Sequence, residues 1–342
     1  MSIIKKNRLL CIQPQGFGDQ VMMLHSLTVL RKHYPEVVFV IVCSSKVSYE
    51  LTSLWTENED SLFLLNKKKL SSIVSLLLRI WRVKPYISYV VPYTNLFFGQ
   101  LISFLSLTKI RIGERQTIPI IGFNITPPQA EKDKKHKSYQ HIALLRLYFK
   151  RLPKNPEFTE LDYRGLPSSR MGRRTNRANS FVGIHPGCDS KSLYKRWPAE
   201  KFTELIQIIL DKTDAEVFLF FGPDELDIMH MFKNNSSRVI ECINQPIEGV
   251  LTALSRLSIL LTTDSGLGHL ASSVKIPTFS LTGPGDPSVT YPLLFKSHVI
   301  ESQSTLDCRP CVHSKEYLHC KTRPCLSGIS AEMVFSRISH YL

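Results

Sequence analysis

Ile259-Leu260-Leu261-Thr262-Thr263-Asp264-Ser265-Gly266-Leu267-Gly268-His269 joins an apolar run of strand length to a small, acidic, glycine-containing turn and then to a helix that carries a histidine. A helix starting near Ser265 presents unpaired backbone N–H groups and the positive end of its dipole, so the turn suits an anion such as phosphate. Gly266 and Gly268 let a ligand approach the main chain closely. His269 falls one turn into the helix, on the face of Ser265. A strand that ends in Asp264 at the carboxyl edge of a parallel sheet stands where open α/β folds bind nucleotides.

Outward from this stretch, both halves of the chain alternate strand-length apolar runs with helical periodicity, which predicts parallel sheets covered on both faces. The second half starts with a strand at Ser180–His185 and a Pro186-Gly187-Cys188 turn, and a helix opens at Pro198 with Phe202, Leu205, Ile206 and Ile209 on one side. A strand over Glu216–Phe221 ends at Gly222-Pro223-Asp224-Glu225, and Val239-Ile240, a helix over Ile247–Ser255 and a strand at Ile276–Leu281 follow. The first half has strands at Arg8–Gln13, Val37–Cys43, Leu62–Leu65, Ile87–Val91 and Lys109–Ile112. Its helices are read after Gly18-Asp19, at Leu70–Trp81, at Asn95–Leu107 and at Tyr139–Arg151. The pattern dissolves between Leu152 and Ser180, where a solvated linker rich in Arg170, Arg173, Arg174 and Arg177 is expected.

With 342 residues the chain exceeds what one core usually organises, and 43% apolar with 21% charged residues excludes global disorder. The formal charge of +14 points to an anionic partner, the plain alternative being a surplus charge that the protein tolerates without using. Met1–Lys6 leads straight into a strand, without an apolar run and cleavage site, so no secretory signal is expected. The uncharged stretch Pro85–Thr108 contains Pro92, Asn95, Gly99 and Gln100 and is read as strand plus helix. Four cysteines, Cys308, Cys311, Cys320 and Cys325, cluster near the end with one Cys-x-x-Cys pair; loop thiols or a labile disulfide are expected, with a structural zinc site as the alternative.

Four strand ends carry candidate chemistry. Gly16-Phe17-Gly18 lacks the third glycine of a dinucleotide fingerprint, since Val21 stands there, and the tight turn instead aims Asp19 as a general base or, more simply, as a helix-start acid. Lys195 and Arg196 precede a helix amino terminus, against the dipole, which suggests a nearby anion; the plain alternative is two solubilising charges beside a core Trp197. Glu225 could accept hydrogen bonds from a ribose or merely start a helix, and His269 could touch phosphate or sit as an ordinary helix histidine.

In combination these loops resemble the bacterial heptosyltransferase family, glycosyltransferase family 9, over nearly the whole chain. The resemblance rests on Gly18-Asp19 after the first strand, on His185-Pro186-Gly187 with Lys195-Arg196-Trp197-Pro198, on Thr263–Ala271, on Pro277 and Gly283-Pro284, and on the cysteine-bearing tail before Ile329-Ser330. It implies a GT-B fold of two Rossmann-like domains facing across a cleft: an acceptor domain over 1–165, a nucleotide-sugar domain over 166–328, and a final helix over 329–342 packing back on the first. It implies an inverting transfer of heptose from ADP-heptose to the lipopolysaccharide inner core, with no metal or cofactor, in the cytoplasm at the inner face of the inner membrane. Asp19 then falls at the general base, Lys195, Ser265, Gly266 and His269 at the donor phosphate, Asp264 at the donor sugar, and Glu225 at the nucleoside. The partners implied are a nucleotide-sugar donor, an anionic glycolipid acceptor and an anionic membrane surface.

Two departures stand out. Cys188–Tyr194 forms a long loop that makes Lys191 a rival to Lys195, and Pro92-Tyr93 replaces an acidic residue that many relatives have. A sugar-nucleotide epimerase of the same fold is the enzymatic rival, and a non-catalytic basic glycolipid-binding module the other. Nucleic acid is not expected, because the aromatic residues lie in apolar runs and do not interleave with the basic clusters.

Overall fold

A computed structural model of the chain divides into two compact units, Met1–Gly165 and Leu166–Leu342. The structure describes residues 7–13, 16–92, 96–114, 122–127, 135–164, 180–304, 306–312, 314 and 320–342. The amino-terminal residues before Asn7, the arginine-rich stretch 165–179, Tyr93 and the side chain of Lys191 lie outside the described residues.

The first unit is built on a five-stranded parallel sheet of β1 (Arg8–Gln13), β2 (Val38–Cys43), β3 (Ser61–Leu64), β4 (Ile87–Val90) and β5 (Ile110–Ile112), in the order β3-β2-β1-β4-β5. Each strand is short and apolar because helices cover both faces. The covering helices are α1 (Phe17–His33), α2 (Lys46–Trp55), α3 (Leu70–Val83), α4 (Leu96–Leu105) and α5 (Lys137–Leu145). Ser45 starts α2 by accepting from Ser48 N, and α3 stops where Lys84 turns left-handed ahead of Pro85. Two reciprocal hydrogen bonds weld α5 to α1: Ser26 Oγ donates to Ser138 O and Ser138 Oγ to Met22 O, both at 3.0 Å.

The second unit holds β6 (Phe181–His185), β7 (Glu216–Phe221), β8 (Val239–Ile243), β9 (Ile259–Thr263), β10 (Thr278–Leu281) and β11 (Val299–Ile300) in the parallel order β11-β10-β9-β6-β7-β8. Counted within the unit, this is the doubly wound order of Rossmann folds, with its switch point between β6 and β9. The helices are α6 (Ala199–Lys212), α7 (Ile247–Leu254), α8 (Gly266–Ser273), α9 (Pro287–Thr290), α10 (Pro324–Ser327) and α11 (Ala331–Ile338). Phe202, Leu205, Ile206 and Ile209 of α6 face the sheet and are buried, as their helical spacing requires.

Three features differ from the sequence reading. The segment after Leu152 is docked on the first unit, with Leu161 and Tyr163 buried and Arg164 N bonded to Leu54 O, so no linker begins before Gly165. The final helix, expected against the first unit, buries Ala331, Val334 and Ile338 in the second unit's own core beside α6. Helix α2 is not legible in the sequence although Ser48, Leu51, Thr52 and Trp55 are buried at helical spacing, because two of the four are polar, and strand β11 is only two residues long. No helix among the described residues is long and apolar enough to cross a membrane.

Candidate functional site

At the switch point of the second unit, His185 pairs in register with Thr262, so the loops that follow β6 and β9 meet at the carboxyl edge of the sheet. Ser265 caps α8, its Oγ accepting from Gly268 N at 3.4 Å. That hydroxyl is 2.8 Å from Thr262 Oγ1, and His185 Nδ1 lies 3.1 Å from both oxygens. The three side chains are buried, and the triangle they form fixes how the first turn of α8 is presented. Gly268 is required here, since a Cβ would meet Thr262 Cγ2 at 2.7 Å.

Behind His185 stands Glu225, 4% exposed. Its Oε1 is 3.7 Å from His185 Nε2 and its Oε2 accepts from Gly222 N at 2.8 Å. Burial pushes this carboxyl up, but the hydrogen bond and charge of His185, with the Gly222 N–H, outweigh it and hold the group below the usual carboxylate range. Gly187 lies flat on the same side chain: a Cβ there would fall 2.0 Å from Glu225 Cγ. Thr263 ties the turn down by donating its hydroxyl to Gly187 O.

Asp264 gathers a lysine, a histidine and a hydroxyl around it. Lys195 Nζ donates to its Oδ2 at 2.7 Å, and His269 Nε2 is 4.0 Å from its Oδ1. Thr290 Oγ1 reaches Oδ2 at 3.5 Å, and Gly285 leaves room for that oxygen, which lies 3.4 Å from where a Cβ would stand. Lys195, His269 and the amino terminus of α8 therefore surround one carboxylate. Chemically, such an arrangement can accept hydroxyls on the carboxylate and bind anionic oxygens on the Lys195 ammonium and the backbone N–H groups.

The neighbouring cations Lys195 and Arg196 part company. Arg196 turns into the protein, donating to Asp224 O and lying 3.3 Å from Asp227 Oδ2, while Trp197 Nε1 bonds to Ile329 O at 3.1 Å. The anions that offset this pair of cations are thus Asp264 and Asp227 of the protein itself. Arg323 holds the turn from outside by donating to the carbonyls of Leu193 and Arg196. Cys188 on the same loop is no nucleophile, since burial pushes its thiol up to about 11 against the pull of Arg196.

In the first unit, Asp19 occupies the first turn of α1 and does not cap it; Gly16 is the cap residue. Its Oδ1 accepts from Lys137 Nζ at 2.7 Å, with both side chains about a quarter exposed or less. Lys137 is a residue that the sequence did not single out, lying just ahead of the helix read at Tyr139–Arg151; it opens α5, with His136 as the cap that accepts from Ser138 N. One turn further along α5, His141 Nδ1 lies 2.6 Å from Tyr89 Oη. Burial drives this imidazole down to about 3, with smaller opposing effects from Asp19 and Lys137, and drives the Tyr89 hydroxyl well above its usual value. The pair is therefore neutral across ordinary pH.

The cysteines of the described residues are all free thiols, and no group of three or more His, Cys, Asp or Glu side chains among those residues is arranged to hold a metal.

Comparison with known proteins identifies the family. The family model of glycosyltransferase family 9 (heptosyltransferase) matches residues 120–322. Lipooligosaccharide heptosyltransferase 2 of Campylobacter jejuni is 23% identical, over 95% of this chain and 96% of that protein. Among solved structures, a glycosyl transferase family 9 protein of Veillonella parvula superposes with a TM-score of 0.78 at 19% identity, over 100% of this chain and 98% of that one. The ADP-heptose lps heptosyltransferase II of Escherichia coli superposes with a TM-score of 0.76 at 18% identity, over 98% of each chain. The two Rossmann-like units are thus those of a GT-B fold. This chain is a glycosyltransferase and belongs to glycosyltransferase family 9, the heptosyltransferases.

Proposed function

We propose that this enzyme moves heptose from ADP-heptose to a sugar hydroxyl of the lipopolysaccharide inner core, with inversion at the anomeric carbon. The observation that supports the reading most strongly is the cluster around Asp264, in which Lys195, His269 and the Ser265-capped start of α8 put positive charge and a sugar-binding carboxylate at one switch point.

The acceptor oxygen attacks the anomeric carbon, the bond from that carbon to the phosphate oxygen breaks, and ADP leaves with the electron pair. Asp19 takes the hydroxyl proton as general base. Charge that develops on the departing diphosphate is met by Lys195, His269, the Ser265 hydroxyl and the N–H groups from Gly266 onward, all held in place before the reaction starts. Asp264 accepts hydroxyls of the donor sugar, and Glu225 serves the nucleoside end on the lone pairs that Gly222 and His185 leave. One displacement gives one inversion, and no step in this scheme calls on a metal. The phosphorylated glycolipid acceptor lies at the cytoplasmic face of the inner membrane, and the charge of +14 matches such a substrate.

Calorimetric titration with ADP, UDP, GDP and NAD tests the donor. Binding of ADP in preference to the other three is expected; equal affinity for UDP, or none for ADP, overturns the assignment.

A further inference from the structure

Helix α3 is apolar on more of its surface than the sheet covers. Leu76, Leu77 and Ile80 are buried in the first unit's core, while Leu70, Val74, Leu78 and Trp81 are 75%, 49%, 48% and 42% exposed. These four recur at helical spacing and line one outer stripe. Helix α4 lies beside α3 over the same core and continues the surface with Phe97, 55% exposed, and Phe104, 39% exposed. Trp81 Nε1 donates to Leu105 O at 2.8 Å, so the indole's one donor is satisfied and its apolar rim is what solvent meets.

The sequence that forms this plate carries charge of one sign. No Asp or Glu occurs between Asp60 and Glu114, and Lys67, Lys68, Lys69, Arg79, Arg82 and Lys84 bracket α3 at its ends and flank. A monomer that leaves such an apolar patch open marks an interaction surface. A second copy of the chain would bring the two cationic rims together, which like-charge repulsion opposes. Apolar side chains with an interfacial tryptophan inside a basic rim are what an anionic bilayer surface takes. We infer that the outer face of α3 and α4 docks on an anionic lipid bilayer, with the stripe from Leu70 to Trp81 entering the headgroup boundary. Its purpose, presenting the acceptor unit to a membrane-held glycolipid, rests on the proposed function; the binding itself does not.

Sedimentation with vesicles of phosphatidylethanolamine and phosphatidylglycerol, against vesicles of phosphatidylcholine alone, measures it. The wild-type chain should pellet with the anionic vesicles only, and less as salt is raised. Leu78→Glu with Trp81→Glu should lower that partition at least about tenfold, the change that about 1.4 kcal/mol of lost apolar burial produces. Lys68→Glu with Lys69→Glu should lower it too. Both variants should remain folded by circular dichroism and keep the wild-type rate on a delipidated, water-soluble acceptor. Equal binding to both vesicle types, unchanged binding by the variants, or a dimer in solution that Trp81→Glu dissociates would overturn the inference. Absence of transfer in every protein, with vesicle binding intact, would instead count against the proposed reaction.

Discussion

Gly187→Ala is a one-carbon change that should weaken both the fold and the nucleotide site. The added Cβ would lie 2.0 Å from Glu225 Cγ and Oε1 and 2.1 Å from Cδ, and Glu225 is too buried to swing aside without losing its partners. Relief breaks the Gly222 N–H hydrogen bond at 2.8 Å and withdraws the carboxylate from His185. An unmade buried hydrogen bond costs about 1–3 kcal/mol, and forced overpacking about 1–3 kcal/mol more. A loss of about 2–6 kcal/mol lowers the melting temperature of a unit of this size by roughly 4–24 °C. Because His185 then holds Ser265 less firmly, ADP affinity should fall about tenfold, the equivalent of about 1.4 kcal/mol. Scanning calorimetry and titration with ADP read the two effects. Adding Glu225→Ala removes the clash, so the double variant should be more stable than the two single losses added together. Wild-type melting and wild-type ADP affinity in Gly187→Ala would refute the reasoning.

Lys195→Met removes the ammonium from Asp264 and from the proposed donor-phosphate site, and ADP affinity should drop about 10–100-fold, as loss of a charge-assisted hydrogen bond does; unchanged calorimetric binding would count against it. Lys137→Met should slow transfer up to about 100-fold by letting Asp19 wander, with ADP affinity unchanged and Lys137→Arg largely restored; equal rates for the Met and Arg variants would show that the ion pair positions nothing. Folding stability should fall as pH drops from about 6.5 toward 3, because the unfolded chain protonates His141 there and the folded chain, with its imidazole held to about 3, does not. The full difference is on the order of 4–5 kcal/mol, and His141→Asn should flatten that slope in denaturant titrations; an identical slope in both proteins would exclude His141 as its source.

What could be read from the chain alone was local. Strands buried on both faces announce themselves as unbroken apolar runs, and the passage from Thr262 to His269 carries its strand end, turn and helix cap within one peptide, so the alternating architecture and that strand–turn–helix were legible. Pairings over distance were not. Lys137 and Asp19 are 118 residues apart, and nothing in a basic stretch says which lysine opens a helix welded to α1. Lys195 and Arg196 look equivalent side by side, yet they close on Asp264 and Asp227, 69 and 31 residues away, because a short turn aims adjacent side chains in different directions. Glu225 reads as a free acid after a strand, whereas the structure buries it against His185 and Gly187. The exposed stripe of α3 has the same periodicity as a core face, and only the packed structure shows that half of it is left uncovered.

Single-turnover transfer from ADP-heptose to an inner-core lipopolysaccharide acceptor, followed by mass spectrometry for wild type and Asp19→Asn, bears on the whole scheme at once. The wild type should release one ADP for each inverted heptoside formed, while Asp19→Asn should bind ADP as before and transfer at least about 100-fold more slowly. Transfer by Asp19→Asn at the wild-type rate, or release of free heptose with no heptoside from the wild type, would contradict it.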